Sequence, residues 1–255
     1  MEDKFVFAQK LIREAGQFVR KKMTEQLAIE IKEQYDDLVT NVDQETQELL
    51  ISLIKKEYPD DHILAEENNV RHPIQDGSVW VLDPIDGTVN FIVQGEDFAI
   101  MIAYFEEGKG QFGLIYDVMN DQLLCGGGSF DVRLNEDLLE PYQKTSLNRS
   151  LIGCNSGMYA HNDRGISNLI KETLGVRVYG GAGITMLKVM TRKLFAYFSY
   201  IQPWDYAAPL IIGKKLGYCL LTLDGQLPNF RSREKVMFIP EVELALVKSF
   251  LNSET

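Results

Sequence analysis

The sequence contains no apolar run approaching the roughly 20 residues that a membrane-spanning helix needs. Its first residues, MEDK, are mostly charged, and no apolar core of the signal-peptide kind follows them. A membrane protein or a secreted protein is therefore not expected. The predicted location is the cytoplasm.

Cysteine is also scarce. Cys125, Cys154 and Cys219 are widely spaced and odd in number, and no CxxC pair occurs. Zinc and redox sites of the CxxC type are therefore not expected. The three thiols are predicted to be reduced and mostly buried.

Basic residues are in the minority, with 26 Lys and Arg against 37 Asp and Glu and a net charge of −11. No block rich in Lys or Arg stands out, and no repeat or low-complexity segment is present. Proteins that bind the phosphate backbone of nucleic acids rely on such basic blocks. A nucleic-acid partner is therefore not expected.

The chain does have enough apolar residues for a sizeable core, 45% of 255 residues. Apolar residues at helical spacing between Phe5 and Met23 predict an amphipathic helix that covers a sheet. A second helix is predicted from Thr40 or Asp43 to Tyr58. Strands are predicted at residues 62–65, 79–82, 98–105 and 111–116, the last two as an antiparallel hairpin.

The C-terminal half shows a different pattern. After a polar stretch at residues 131–149, predicted to be irregular, short strands and helices alternate. Their predicted ranges are 151–154, 163–173, 176–179, 184–192, 194–200, 206–216, 218–223 and a last helix at 242–251. The polar stretch is the predicted boundary between an N-terminal α+β subdomain, residues 1–140, and a C-terminal α/β subdomain, residues 141–255, of one compact unit.

The densest group of reactive side chains is DPIDGT, residues 83–88, directly after an apolar strand. Two carboxylates about 4 Å apart repel by roughly 4 kcal/mol at an effective dielectric near 20, so a cation between them is favoured. Asp83, Asp86 and the Ile85 carbonyl offer oxygen ligands, which suit Mg²⁺ better than Zn²⁺. The amides of Gly87 and Thr88 could bind a phosphate if they open a helix. The alternative is a Pro-Asp-Gly turn with solvated acids.

Other acids stand at the ends of predicted elements. Glu66 and Glu67 follow the strand at 62–65, and Asp205 precedes an apolar helix. Each has a structural alternative: a solvated loop for the glutamates, a helix N-cap for Asp205, and a capping box for the Thr40-x-x-Asp43 spacing. Their joint appearance favours one shared site.

Four segments in this order resemble the lithium-sensitive, magnesium-dependent phosphatases of the inositol monophosphatase family. They are DLVTNVD (37–43), AEE (65–67), WVLDPIDGTVNF (80–91) and WDYAA (204–208). The resemblance implies an α/β fold, a layered α/β/α/β/α sandwich with an antiparallel-rich N-terminal sheet and a smaller, mixed C-terminal sheet. It also implies a phosphomonoesterase, usually a homodimer, with two or three Mg²⁺ ions per site and Li⁺ as an inhibitor.

The resemblance also assigns metal ligands. Glu66, Asp83 and the Ile85 carbonyl would bind the first ion, and Asp83, Asp86 and Asp205 would bind the second. Retention of every one of these carboxylates argues against a regulatory binding protein that keeps the fold without the activity.

Further roles follow from the same resemblance. Glu66 and Thr88 would orient and deprotonate the attacking water, and Asp43 would accept a hydrogen bond from the Thr88 hydroxyl. Lys32 and Glu67 are possible additional site residues, although a solvated lysine is the alternative for Lys32. The residues expected to contact substrate are Asp86, Gly87, Thr88, Gly181, Ala182 and Asp205. The alternative for the segment GGAG, residues 180–183, is that its glycines simply end a strand.

The chain departs from the family in the segment AYFSYIQP, residues 196–203, which lacks the glutamate that reads inositol hydroxyls. Broad specificity is therefore expected, with fructose 1,6-bisphosphate, NADP or 3′-phosphonucleotides as alternatives to inositol monophosphate. Pro209 is expected in the opening turn of its helix. A haloacid-dehalogenase-type phosphatase, which would form an aspartyl phosphate, is the rival class, but its motif has one residue between the aspartates and this chain has two.

Overall fold

The computed structural model describes residues 1–31 and 38–251. The α-helices are α1 Glu2–Lys22, α2 Asn41–Glu57, α3 Thr88–Val93, α4 Ser156–Ala160, α5 Ile166–Lys171, α6 Ala182–Met190, α7 Pro203–Lys215 and α8 Leu244–Phe250. The strands are β1 Ile29–Ile31, β2 Leu38–Thr40, β3 His62–Ala65, β4 Ser78–Asp86, β5 Ala99–Glu106, β6 Lys109–Asp117, β7 Gln122–Gly127, β8 Phe130–Leu134, β9 Asp137–Leu138, β10 Ile152–Cys154, β11 Val176–Arg177, β12 Ala196–Ile201, β13 Tyr218–Thr222 and β14 Glu234–Pro240. No helix of these residues has the length and apolar character needed to cross a bilayer.

The larger sheet contains seven strands in the order β3-β4-β5-β6-β7-β8-β9. β3 and β4 are parallel, and the remaining neighbours are antiparallel. The hairpin predicted from residues 98–105 and 111–116 is the β5–β6 pair. The antiparallel-rich N-terminal sheet is therefore confirmed.

The smaller sheet has the order β11-β10-β12-β14-β13. β10 is parallel to both β11 and β12, whereas β14 runs antiparallel to β12 and β13. This sheet is mixed, as expected.

Helices separate and cover the two sheets. α1 and α2 pack on the outer face of the larger sheet, where Leu11, Ile12 and Leu50 share a core with Trp80. α6 and α7 lie between the sheets, in a second core that includes residues of both. α4, α5 and α8 cover the outer face of the smaller sheet. The five layers confirm the α/β/α/β/α sandwich.

The start of α2 follows from its capping box. The Thr40 hydroxyl accepts hydrogen bonds from the amides of Val42 and Asp43, and the Asp43 carboxylate accepts one from the Thr40 amide at 2.9 Å. These bonds satisfy amides that have no partner inside the helix. The predicted capping box is therefore confirmed.

The structure differs from the sequence-based expectations at several elements. β8 and β9 lie in the stretch expected to be irregular, and strands β1, β2, β7 and β14 were not expected. α7 begins at Pro203, so the expectation that Pro209 lies in the opening turn is wrong. Pro209 is the seventh residue of α7, and because proline has no N–H, the Asp205 carbonyl lacks its usual helical donor.

Helix α7 packs so closely on the larger sheet that one strand position admits only glycine. A Cβ on Gly113 would lie 2.6 Å from the Ala208 carbonyl oxygen and 2.9 Å from the Ala208 Cα. Both are backbone atoms, which cannot move aside as a flexible side chain can.

We expect Gly113→Ala to lower the free energy of unfolding by about 1–3 kcal/mol, the usual cost of overpacking a core. Urea unfolding of the purified variant measures this loss. Gly157→Ala in α4 is the matched control, because its Cβ would approach only the Asn155 side-chain oxygen, at 3.3 Å. Equal stability of the two variants would contradict the close contact between α7 and β6.

Candidate active site

Strand β4 ends in a bulge that turns two aspartates to the same face of the sheet. Asp83 lies opposite Met101 and Asp86 opposite Ala99, so three steps along β4 match two steps along β5. Because side chains alternate between the faces of a strand, the extra residue brings both carboxylates to one face. Pro84, inside the bulge, has no N–H to give to the sheet and is tolerated there.

Gly87 makes the turn from β4 into α3. Its φ is +90°, a conformation that favours glycine, and a Cβ would lie 3.3 Å from the Asp97 carbonyl oxygen. Thr88 is the first residue of α3, and the N–H groups of a first helical turn have no partner within the helix. These groups can therefore donate to an anionic ligand.

Asp205 reaches the same place from α7. One of its oxygens accepts a hydrogen bond from the Gln202 amide at 2.7 Å. Asp205 is the third residue of the helix, so the N-cap alternative for it is wrong and Gln202 is the N-cap. Oxygens of Asp83, Asp86 and Asp205 lie within 4.8 Å of one another.

The Asp86 carboxylate is held by the start of α6. Its two oxygens accept hydrogen bonds from the amides of Ala182 at 3.0 Å and Gly183 at 2.7 Å. The pKa of Asp86 is raised to about 6. Burial is the largest cause and the charge of Glu66 adds to it, while the bonds from Gly183 and Ala182 lower the pKa.

Asp83 is the least compensated acid of the group. It is 1% exposed, and neither oxygen accepts a hydrogen bond from an N–H group or a hydroxyl group in the described parts of the chain. Burial raises the pKa of Asp83 well above its usual value, and the charges of Glu66, Asp205 and Asp86 raise it further. A bond between Asp83 and the neighbouring Asp205 requires a proton on one of the two acids.

The same forces act on Asp205. Burial, followed by the charges of Asp86 and Glu66, raises the pKa of Asp205 to about 8. A divalent cation bound by these carboxylates would remove their mutual repulsion and give Asp83 the partner it lacks. The ligands are all hard oxygens, which is the set that Mg²⁺ prefers.

Glu66 and Glu67 follow β3, which is parallel to β4. Gln47 fixes the backbone of Glu67 through two hydrogen bonds. Its side-chain oxygen accepts one from the Glu67 amide at 2.7 Å, and its side-chain nitrogen donates one to the Glu67 carbonyl at 2.9 Å. Glu67 is 5% exposed, so the solvated-loop alternative is wrong for it, whereas Glu66 is half-buried and lines the same cavity as Asp86.

Asp43 joins two functions in one carboxylate. One oxygen belongs to the capping box with Thr40, and the other lies 3.0 Å from the Thr88 hydroxyl oxygen. The Thr88 hydroxyl is also 3.2 Å from the Ile85 carbonyl, and with a single hydrogen it donates to one of these acceptors at a time. Burial raises the pKa of Asp43, while the bonds from Thr40 and Thr88 favour its charged form.

A cavity of about 250 Å³ opens beside these groups. Its acidic part is lined by Glu66, Asp86 and Asp205, next to Gly87 and Thr88. The polar and aromatic residues that also line it are Asn155, Ser156, Tyr179, Tyr197, Ser199, Tyr200 and Arg233, and apolar residues such as Leu38, Val178 and Ile201 complete the wall.

The loop before α6 contributes to the cavity in an unexpected way. Because the Ala182 amide donates to Asp86, it holds an acid in place instead of facing outward to a ligand. A Cβ on Gly181 would lie 3.1 Å from an Asp86 oxygen, so glycine permits this close approach. Contact of Gly181 and Ala182 with substrate stays a prediction. Lys32 lies outside the described residues.

Comparison with known proteins identifies the chain. The family model described as the inositol monophosphatase family matches residues 1–249. The chain belongs to this family. It is 35% identical over 254 residues to the inositol-1-monophosphatase of Bacillus subtilis, with 96% of each sequence covered.

Solved structures of the inositol monophosphatase family agree with the fold. Inositol monophosphatase II of Staphylococcus aureus superposes with a TM-score of 0.87 at 30% identity, covering 98% of this chain and 96% of that one. An inositol monophosphatase/NADP phosphatase solved with Mg²⁺ and phosphate superposes with a TM-score of 0.88 at 25% identity, covering 99% and 95%.

Membership of the inositol monophosphatase family confirms the resemblance drawn from the four motifs. The protein is a magnesium-dependent phosphatase that hydrolyses phosphate monoesters. The haloacid-dehalogenase alternative is therefore wrong, as is the reading of residues 83–88 as a mere turn with solvated acids, because Asp83 and Asp86 are buried.

Several residues of this inositol monophosphatase site carry no clear signal in the sequence. Gln47 and Arg233 are single polar residues that lie far along the chain from the acids of the metal-ligand sets. Arg71 is another: it donates to the Ala65 carbonyl, and its guanidinium carbon lies 4.7 Å from the Trp204 ring centroid. It thereby connects the residues that precede Glu66 and Asp205. Only the Gln202-x-x-Asp205 capping spacing is readable in the sequence.

The raised pKa values of the acids predict a pH-dependent stabilisation by Mg²⁺. Without metal, the native state keeps protons on Asp86 and Asp205 that the unfolded chain releases near pH 4, at a pKa of about 3.9. The free energy of unfolding therefore falls as the pH rises from about 4 to about 8. Mg²⁺ needs the deprotonated acids, so the increase in Tm on adding Mg²⁺ should be larger at high pH than at low pH.

Thermal unfolding with EDTA or with Mg²⁺, across this pH range, measures the effect. Asp205→Asn should raise the Tm of the metal-free protein at high pH and reduce the Mg²⁺ response. Asp60→Asn, an exposed acid away from the cavity, is the control. An Mg²⁺ response that is independent of pH would contradict the electrostatic account.

Proposed function

We propose that the buried acids form the centre of the phosphatase reaction, with the ligand sets that the family resemblance implies. Glu66, Asp83 and the Ile85 carbonyl hold one Mg²⁺ ion, and Asp83, Asp86 and Asp205 hold another. The observation that carries this proposal is the burial of both Asp83 oxygens without a donor from the described residues. Asp83 belongs to both sets, which fits its central position among the acids.

Bound Mg²⁺ supplies a Lewis acid that lowers the pKa of water and neutralises charge on the phosphate. The protein residues then position the reactants. Thr88 and Glu66 orient the attacking water. Its proton passes to the Glu66 carboxylate, or to the Thr88 hydroxyl as that hydroxyl gives its own proton to Asp43, which also holds Thr88 in place. The amides of Gly87 and Thr88 donate to the phosphate oxygens. No covalent intermediate with the protein is required.

The substrate class we propose is a small phosphorylated metabolite, with broad specificity. A cavity of about 250 Å³ suits a compact ester. Its wall contains Tyr197 and Ser199, joined by a hydrogen bond of 2.9 Å, in the segment that lacks the family's sugar-reading glutamate. Inositol monophosphate, fructose 1,6-bisphosphate, NADP and 3′-phosphonucleotides are the candidates to compare.

Further features of the proposal follow from the family resemblance. We propose that the site binds two or three Mg²⁺ ions, that Li⁺ inhibits it, and that the enzyme works as a homodimer in the cytoplasm with no nucleic-acid partner. Gly181 and Ala182 would border the substrate, with Lys32 and Glu67 as possible additional site residues. The sheets would belong to subdomains at residues 1–140 and 141–255 of one compact unit.

Asp83→Asn should abolish phosphate release from every substrate, because it removes the carboxylate shared by both ligand sets. The fold should be retained, since an amide lacks the buried charge. Phosphate release from the four candidate substrates, with and without Li⁺, measures the effect and ranks the substrates. Asp60→Asn is the control. Turnover by Asp83→Asn near that of the unaltered enzyme would refute the ligand assignment.

Thr88→Ala should lower kcat by about 10²- to 10⁴-fold, the usual contribution of a group that moves or orients a proton in the reaction. KM should change less, because the effect lies in the chemical step. Thr88→Ser keeps the hydroxyl and should retain much of the activity. If the alanine and serine variants have the same kcat, the hydroxyl has no part in orienting the water.

A further inference from the structure

Arg233 is a cationic residue in the wall of the active-site cavity, and none of the other described lining residues is basic. We propose that it forms a subsite for a second anionic group of the substrate. This inference rests on the proposed function and narrows it: the enzyme favours phosphate esters that carry another phosphate or a carboxylate at some distance from the ester.

Two contacts with Tyr200 fix the Arg233 guanidinium. Its Nε donates a hydrogen bond to the Tyr200 carbonyl at 2.9 Å, and its central carbon lies 4.6 Å from the Tyr200 ring centroid. Stacking on an aromatic ring orients the planar group and reduces the entropy lost on binding. The two terminal nitrogens stay available as a fork that matches carboxylate and phosphate oxygens.

The neighbours of Arg233 have partners within the protein. Lys235 forms a salt bridge with Asp163, with 2.8 Å between nitrogen and oxygen, and a Glu234 oxygen accepts a hydrogen bond from the Asn229 amide at 2.8 Å. In the described portion of the chain, no carboxylate pairs with Arg233. An arginine that is held in the cavity wall without a carboxylate partner can donate charge-assisted hydrogen bonds to a ligand anion.

The pairing of β14 with β12 places Arg233 near the segment that leads to Asp205. Glu234, the residue after Arg233, pairs with Ile201 at the end of β12. The next residue, Gln202, caps α7 and holds the Asp205 carboxylate. A substrate whose ester phosphate lies at the acids would therefore reach Arg233 with its other end. A neutral polyol gains little from this cation, whereas a second anion forms charge-assisted hydrogen bonds.

A matched set of synthetic esters tests the inference. The probes are butanediol, pentanediol and hexanediol monophosphates, the corresponding bisphosphates, and the corresponding esters with a terminal carboxylate. For at least one chain length, the unaltered enzyme should have a kcat/KM about tenfold or more higher for a doubly anionic ester than for the monophosphate, after correction for the two equivalent ester groups of a bisphosphate. The gain should lie mainly in KM, and added KCl should reduce it.

Variants assign the effect to the residue. Arg233→Ala should remove the preference, and Arg233→Lys should keep part of it as a point charge without the fork. Arg231→Ala, an exposed arginine of the same segment outside the cavity, should leave both kcat/KM values unchanged. The better of the phosphate and carboxylate series identifies the kind of anion.

The outcomes separate this inference from the proposed function. Hydrolysis of the monophosphates with no preference for any doubly anionic ester would overturn the anion subsite and leave the phosphatase assignment in place. A preference that Arg233→Ala does not reduce, or that Arg231→Ala reduces equally, would overturn it as well. Failure to hydrolyse any ester would overturn the proposed function itself.

Discussion

Mutual repulsion among closely spaced and largely buried carboxylates is the constraint on which the site depends. Asp83 is buried near the end of β4 with no N–H or hydroxyl donor among the described residues, and Asp86 and Asp205 lie beside it. Such a group is unfavourable unless it is protonated or shares a cation. The rest of the fold must therefore hold the acids together against a force that separates them.

The acids are held in place by segments from more than one layer of the fold. The amides at the start of α6 hold Asp86, and the Gln202 amide at the start of α7 holds Asp205. Both helices lie between the two sheets, so their positions depend on the packing of the whole chain. Gln47, on α2 at the outer face of the larger sheet, holds the backbone beside Glu66. The site is thus assembled from three layers, and no single segment could form it alone.

The acids were predictable from the sequence because they stand in contiguous motifs at the ends of apolar runs. Arg233 and Gln47 were not, because their contacts join segments that are far apart in the chain and follow no local period. The start of α7 was placed too late because Pro203 and Trp204 gave no apolar helical spacing, although proline suits a first helical position. β14 contains an apolar run at residues 236–239, so the sequence does hold a signal for this strand. β8 and β9 are short, partly exposed strands at a sheet edge, and they carry no such signal.

The bulge at Pro84 also limits how this segment can evolve. Asp83 and Asp86 share a face only because β4 has one residue more than β5 over this interval. In a regular strand without the bulge, the spacing of three residues would direct the two side chains to opposite faces. The bulge and the three-residue spacing therefore depend on each other: side chains around the motif can change, but a change that removed the bulge and kept the spacing would separate the acids.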